Sequence, residues 1–260
     1  MEIVAQRQFN VLYIIFDIIF LCILLGILIV KKKYATVIVG FLAGILYMIV
    51  DYGIFHLLTH SRSISEGDSL FWVLLWMSMS YGFTNFVWIW LWIKKDKDLF
   101  NFSFLILLWW FTCPLLAKTF GANSHIITIQ RTTGSYHGYM ALILFIGYLG
   151  VILWNMFQKN KKHRFPILWM LAIGILVQFG WEAGLLLGGI RSATITAWDQ
   201  KILTLIINSL LETNLGMPYI MVIYIFYNRF RTEDLKKKET PLSFNESLCE
   251  INERSCKSKE

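Results

Sequence analysis

Charged residues are scarce in this sequence, and their scarcity limits the classes of protein that it encodes. Asp, Glu, Lys and Arg make up 16% of the 260 residues, whereas hydrophobic residues make up 57% and the mean hydropathy is +0.57. A soluble domain of this length does not need so much apolar material to fill its core. The composition therefore argues against a soluble globular domain and indicates a chain that lies in lipid.

Cysteine is also rare, with four residues in the whole chain. Cys22 and Cys113 lie within apolar runs, and Cys249 and Cys256 lie in a polar C-terminal segment. This spacing excludes a disulfide framework and a paired-cysteine metal site, so we expect free thiols. The formal net charge of +7 does not indicate nucleic acid as a partner, because the basic residues form short clusters between apolar runs.

Seven apolar runs are long enough to cross a bilayer. A helix needs about 20 apolar residues to span roughly 30 Å of hydrocarbon, because every backbone N–H and C=O must be bonded within the segment. The first run is interpreted as a retained span, because no short apolar segment with a cleavage site opens the chain. The predicted fold is an all-α, polytopic seven-helix transmembrane bundle with spans at 10–30, 34–58, 70–93, 99–117, 136–157, 165–188 and 202–228.

The basic residues predict the orientation of these spans. Clusters at 31–33, 94–97, 159–164 and 229–238 fall on one side, and the other side holds only six Lys or Arg residues. Cytoplasmic loops are enriched in Lys and Arg, so the asymmetry places the N-terminus outside and the C-terminus in the cytoplasm. We expect an integral multi-pass protein, in the cell membrane of a bacterium or otherwise in an endomembrane, with the lipid bilayer as its partner and the oligomeric state left open.

Two segments outside the spans are assigned from their composition. Residues 1–228 form the predicted transmembrane domain, and 229–260 are polar and are predicted to be a disordered cytoplasmic tail. The outer connection 118–135 is the longest loop and is interpreted either as a plain connector or as a cap over a site.

Ionisable residues inside the spans are the main functional candidates. Such groups are costly in lipid unless they face a cavity or a partner. Asp17, Asp51, Glu182 and Glu212 all fall in the outer half of the predicted membrane, whereas the inner half of each span is almost purely apolar. We therefore predict catalytic carboxyl groups at Asp51, Glu182 and Glu212, in a polar cavity that opens toward the outer leaflet. The alternative is that each acid pairs with a neighbouring helix for packing alone.

Span seven carries the sharpest polar pattern. Asn208, Glu212, Gly216 and Tyr219 are spaced i, i+4, i+8 and i+11, so they share one helical face, and Asn214 follows Glu212 by two residues. We predict Asn208, Asn214 and Tyr219 as substrate-binding residues around Glu212.

Trp76, Trp181 and Arg191 complete the predicted substrate site. Glu182 is either neutral, because burial beside Trp181 disfavours the charged form, or ionised as the partner of Arg191, and both interpretations stay open. Deep aromatic residues such as Trp76 and Trp181 are candidates for the cavity wall, with filling of the bundle as the alternative.

Three histidines form a candidate metal site. His56 and His60 are spaced i and i+4 on span two, which is compatible with joint metal binding, and His137 is a candidate third ligand. No second dense histidine cluster accompanies them. We therefore predict no cofactor, and a metal held by these histidines is the alternative.

Two short segments resemble a known family. Gln178-Phe179-Gly180-Trp181-Glu182, together with Glu212-Thr213, resembles the NF-x-WE and D-T elements of small membrane-bound terpene cyclases. In that family two membrane acids protonate an isoprenoid and start ring closure, which the resemblance implies for Glu182 and Glu212. The spacing departs from the family pattern, because the family places its acids on early and late helices and these two lie on adjacent ones.

The predicted function is a membrane enzyme that acts on a lipid or isoprenoid substrate through buried carboxyl groups. The first alternative is a proton- or ion-coupled transporter of a small molecule, in which the same acids relay the ion. A further alternative is a non-catalytic membrane sensor or partner protein.

Overall fold

The computed structural model describes residues 4–132, 137–191, 197–235 and 243–257. The helices within these ranges are α1 (Val11–Val30), α2 (Tyr34–Met48), α3 (Leu70–Ile93), α4 (Leu99–Phe120), α5 (His137–Phe157), α6 (Ile167–Leu187), α7 (Trp198–Leu235) and α8 (Phe244–Lys257). A π-helix at Ile49–Leu58 continues α2, and a short 3₁₀ helix at Lys161–His163 precedes α6. The strands are β1 (Val4–Asn10), β2 (Arg62–Ile64) and β3 (Ile126–Thr132).

Seven helices are long and apolar enough to cross a membrane, which confirms the predicted number of spans among the described residues. They are α1, α2 with its π-helical extension, and α3 to α7. The predicted ends agree with the observed ones to within four residues, except that α7 continues to Leu235 instead of ending at 228. The architecture is that of a multi-pass membrane protein.

The helices α3 and α6 lie at the centre of the bundle and are the most deeply buried of the seven. Helix α2 packs on α3, α7 packs on α6, and α5 packs on the far side of α7. Helices α1 and α4 close the bundle against α3 and α6. The outer helices α1, α2 and α5 therefore present most of their apolar surface to the surroundings, as helices in lipid do.

The crossing of α2 and α3 depends on two glycines. A Cβ atom on Gly82 would lie 2.7 Å from the Cα atom of Gly44, which is closer than two non-bonded carbon atoms approach each other. We expect Gly82→Ala to separate the helices and to lower the stability by about 1–3 kcal/mol. Gly26→Ala is the matched control, because a Cβ there meets no atom within 4 Å. Equal thermal midpoints for Gly82→Ala and the wild type in detergent would contradict this account of the crossing.

A small antiparallel sheet covers one end of the bundle, in the order β1-β3-β2. Arg7 on β1 and Ile64 on β2 both lie opposite Ile129 on the central strand β3. Phe9, Ile127 and Ile129 are buried on the face that covers the helices. The all-α prediction is therefore incomplete, since the connection 118–135 and the N-terminal segment contribute strands to a common sheet.

The bundle has two distinct ends, the sheet end and the basic end. The sheet end carries β1, β2 and β3, which lie at the N-terminal ends of α1 and α3. The basic end is the opposite one, where the connections contain the lysine clusters at 31–33, 94–97 and 159–162.

The predicted disordered tail contains a docked amphipathic helix, α8, so that part of the prediction is wrong. Phe244, Leu248 and Ile251 recur at i, i+4 and i+7, and Leu248 and Ile251 are buried. Ser243 and Glu246 form a capping box, in which each backbone N–H donates to the other side chain. The Phe244 ring packs on Trp154, Phe165 and Phe226, which fixes α8 to the basic end.

Candidate functional site

A cavity of about 510 Å³ lies beneath the sheet, between α2 with its π-helix on one side and α5 and α7 on the other. Its volume falls in the usual range for sites that hold small organic ligands. The walls are mainly apolar, and the charged groups come from two strands, the π-helix, α7 and the segment after α6. The charged lining residues are Arg7, Asp51, Arg62, Arg191 and Glu212, and the apolar ones include Leu46, Val50, Ile54, Phe55, Met77, Phe86, Ile129, Met140, Ile143 and Leu215.

The cavity opens sideways to the surface of the bundle. Leu46 and Ile54 on one rim and Tyr139 and Ile143 on the other line the cavity and are also exposed. In the described part of the chain, α5 is packed against α7 and α2 against α3, without extended packing between α5 and either α2 or the π-helix. The opening therefore lies between the π-helix and α5, on a face where a bundle in a bilayer meets lipid chains.

Asp51 lies in the π-helix and forms an ion pair with Arg62, with 2.5 Å between Oδ1 and Nη2. Both residues line the cavity. The pair joins the π-helix to β2, so one partner comes from a span and the other from the sheet. A π-helix is a rare conformation that is often associated with functional sites, and here it includes a predicted catalytic residue.

Glu182 is buried behind the cavity and lies between two arginines. Its Oε2 is 3.0 Å from Nε of Arg191, and its Oε1 is 3.8 Å from Nη2 of Arg7. The arginines are held side by side because the Gln8 N–H donates to the Ile190 carbonyl oxygen at 3.0 Å. The pairing of Glu182 with Arg191, which was one of the two interpretations of the sequence, is therefore present in the structure.

Gln178 connects the two glutamates. Its Nε2 donates to Glu212 Oε2 at 2.8 Å and reaches Glu182 Oε1 at 3.5 Å. Its Oε1 accepts hydrogen bonds from Tyr81, at 2.7 Å, and from Thr213, at 2.5 Å. The fully buried amide thus has a partner for each of its donor and acceptor positions, and it holds the carboxyl group of Glu212 at the cavity wall.

We expect Gln178→Leu to destabilise the protein by at least about 3 kcal/mol, because each buried polar group left without its partner costs about 1–3 kcal/mol. The hydroxyl groups of Tyr81 and Thr213 and the carboxyl groups of both glutamates lose this amide. Chemical unfolding in mixed micelles measures the change. Gln200→Leu, on an exposed part of α7, is the control. A Gln178→Leu protein as stable as the control would show that the network contributes little.

The predicted tryptophans of the substrate site lie outside the cavity. Trp181 is buried against the rings of Tyr81 and Trp110. The indole N–H of Trp76 donates to Asp17 Oδ2 at 2.9 Å. Both side chains therefore serve packing and hydrogen bonding between helices, which was the alternative interpretation.

The polar residues predicted beside Glu212 are also directed elsewhere. Asn208 is buried on α7 but does not line the cavity. Asn214 donates to the Leu210 carbonyl oxygen and accepts a 3.4 Å hydrogen bond from Tyr148. Tyr219 is exposed, and its hydroxyl donates to the Ile143 carbonyl oxygen, which ties α7 to α5. Arg191 is thus the one predicted substrate-binding residue that the structure places at the cavity.

The histidines do not form a metal-binding cluster in the described part of the chain. The His56 ring packs near that of Tyr52, with 5.2 Å between centroids, and His60 is exposed with a positive φ. The side chain of His137 lies outside the described residues. No group of three His, Cys, Asp or Glu side chains suited to a metal is found among those that the structure describes. The absence of a cofactor stays a prediction.

Several site residues were not among the sequence candidates. Gln178 and Thr213 were quoted only in the family resemblance, and Arg7 and Arg62 were counted only as basic residues of the outer side. Their roles depend on the sheet and on contacts between distant helices. The signal available in the sequence was the position of Gln178 one turn before Glu182, since residues four apart share a helical face.

No family model, no curated protein and no solved structure matches this chain.

Proposed function

We propose that this protein is an integral membrane enzyme that binds a lipid or isoprenoid substrate in the cavity and acts on it by acid–base chemistry. The observation that supports this most strongly is the combination of a long apolar wall with two carboxyl groups, Asp51 and Glu212, in the lining of the same cavity. Ionisable groups in a spanning bundle are costly, and a substrate cavity is one setting in which they are useful.

The two cavity carboxyl groups have different surroundings and suit different roles. Asp51 is assigned the general base, and its ion pair with Arg62 holds its carboxyl group at the cavity wall. Glu212 is assigned the general acid, the role that the resemblance to terpene cyclases implies for it, and the Gln178 amide holds its carboxyl group at the cavity wall. Acid-initiated ring closure of an isoprenoid, as the resemblance to terpene cyclases implies, is one reaction that such an acid serves.

Glu182 takes a different role in this proposal from the one expected of it. It does not line the cavity, and Arg7 and Arg191 lie at its two oxygens. It therefore acts as a positioning residue that holds two guanidinium groups at the cavity, and the base is Asp51.

In the proposed orientation the sheet end faces the exterior of the cell or the lumen of an organelle. The basic end faces the cytoplasm. The lysine clusters in the connections of the basic end support it. The substrate then enters sideways from the outer leaflet, between the π-helix and α5.

The packing below the cavity favours an enzyme over a carrier. Val87 and Leu91 on α3 and Met217, Met221 and Ile225 on α7 are fully buried between the cavity and the basic end. A carrier needs an alternative arrangement in which this packed floor opens.

Turnover of a panel of polyprenyl and acyl lipids by the purified protein tests the proposal. Ile143→Trp places a large side chain in the cavity and is expected to abolish turnover, whereas Leu142→Trp lies on the exposed face of α5 and is expected to leave it unchanged. Turnover that survives Ile143→Trp would show that the chemistry takes place elsewhere. Uptake of a solute into proteoliposomes, without chemical change, would support the carrier instead.

A further inference from the structure

Three arginines from separate elements meet at one end of the cavity. Arg7 lies on β1, Arg62 lies on β2, and Arg191 lies four residues after the end of α6. Arg7 lies opposite Ile129 in the sheet, and Arg62 is two residues from Ile64, which also lies opposite Ile129. Because strand side chains alternate between faces, Arg7 and Arg62 project from the face of the sheet that covers the cavity.

The lining of the cavity carries more guanidinium groups than carboxyl groups. Among the described residues that line the cavity, three carry a guanidinium group and two carry a carboxyl group. The cations are largely removed from solvent, since the side chains of Arg62 and Arg191 are 8% and 6% exposed. A cleft with low-dielectric walls strengthens the attraction of such charges for an anion.

The arginines are held in position before any ligand arrives. Arg7 and Arg191 form ion pairs with Glu182, and Arg62 forms an ion pair with Asp51. A guanidinium group has five N–H donors in a planar arrangement that matches the oxygens of phosphate or carboxylate. Fixing these side chains in advance reduces the entropy lost on binding.

From this placement we infer that the cavity binds a single-chain amphiphile with a phosphate head group, the head group lying among Arg7, Arg62 and Arg191 and the chain along the apolar wall. The chain follows Val50, Ile54 and Ile143 to the sideways opening. The inference names the substrate class of the site proposed above and rests on that proposal only for the claim that the cavity receives a hydrocarbon chain.

Binding to the purified full-length protein in a neutral detergent tests this inference, with dodecyl phosphate, dodecanol and inorganic phosphate as the three probes. Ligands that bind the folded state raise the thermal midpoint, so midpoint shifts give apparent affinities. We expect dodecyl phosphate to bind at least tenfold more tightly than dodecanol, and inorganic phosphate alone to give a much smaller shift than dodecyl phosphate.

Variants link the preference to the arginines. Arg62→Gln combined with Asp51→Asn removes both members of one ion pair, so that no buried charge is left alone, and is expected to remove most of the preference for dodecyl phosphate. Lys118→Gln, an exposed cation near the sheet end, is expected to retain it. A melting transition of the double variant shows that it is folded.

Three other outcomes would each contradict one part of this assignment. Equal affinities for dodecyl phosphate and dodecanol would refute the head-group assignment and leave the proposed enzyme site standing. Equal shifts with inorganic phosphate and dodecyl phosphate would show an anion site that holds no chain. Failure of both dodecyl compounds to bind would remove the cavity as a lipid site and with it the proposed function.

Discussion

Glu212→Gln is expected to lower turnover at least about 100-fold, the usual contribution of a general acid. The substitution removes the transferable proton and keeps the size and shape of the side chain. The amide oxygen of the new side chain can still accept the hydrogen bond that Gln178 donates to Glu212 Oε2. The fold and the affinity for the substrate chain should therefore change little, so the loss should appear in kcat. Turnover of the lipid identified in the substrate panel measures it.

The control for this experiment is Glu66→Gln, which neutralises an exposed carboxyl group in the connection before α3. It should retain full turnover. A Glu212→Gln protein with the kcat of the wild type would remove Glu212 from the chemistry. Loss of the folded state in Glu212→Gln, seen in its thermal midpoint, would instead assign Glu212 a structural role.

Arg191→Met is expected to cost about 3–5 kcal/mol of stability, because removal of one partner leaves a buried carboxylate with much less compensation. Glu182 is 1% exposed, and its Oε2 faces Nε of Arg191 at 3.0 Å. Methionine has a similar length and apolar stem, so the effect of lost packing is small. Unfolding in denaturant measures the change, with Lys118→Met, at an exposed site, as the control.

A double-mutant cycle separates the ion pair from other effects of this substitution. Glu182→Gln together with Arg191→Met removes both charges and should recover a large part of the stability that Arg191→Met loses. Arg7 remains beside the new amide, which can accept a hydrogen bond from it. Additive losses in the double variant would show that the two side chains do not interact in the folded protein.

The spans were predictable because the property that defines them is local. About 20 apolar residues in succession satisfy the length of a bilayer wherever they occur in a chain. The ends of α1 to α6 follow from polar residues at the borders, such as Lys31 after α1 and Lys94 after α3. The C-terminal end of α7 was missed, since its last turns are polar and their length is not set by the hydrocarbon.

The sheet was missed because its pairing is not local. Strand β1 pairs with β3 across more than 100 residues, and neither strand is long or strongly apolar. The buried residues Ile127 and Ile129 do alternate with polar ones, which is typical of a half-buried strand. For α8, the spacing of Phe244 and Leu248 and the capping box at Ser243 were local signals that a composition-based interpretation overlooked.

The candidate site was predictable only in part. The cost of burying an acid in a span singled out Asp51 and Glu212, and both line the cavity. Helical periodicity did not show which way the neighbouring polar residues point, because Asn214 and Tyr219 have their partners on α5. Arg7 and Arg62 reach the site through the sheet, so their position could not be derived before the sheet was known.

An experimental structure of the Glu212→Gln variant in lipid nanodiscs with dodecyl phosphate tests the central claim most directly. The account predicts one elongated molecule in the cavity, with its head group within hydrogen-bonding distance of Arg62 or Arg191 and its chain leaving between the π-helix and α5. An empty cavity, with the added lipid found only on the outer surface of the bundle, would contradict it.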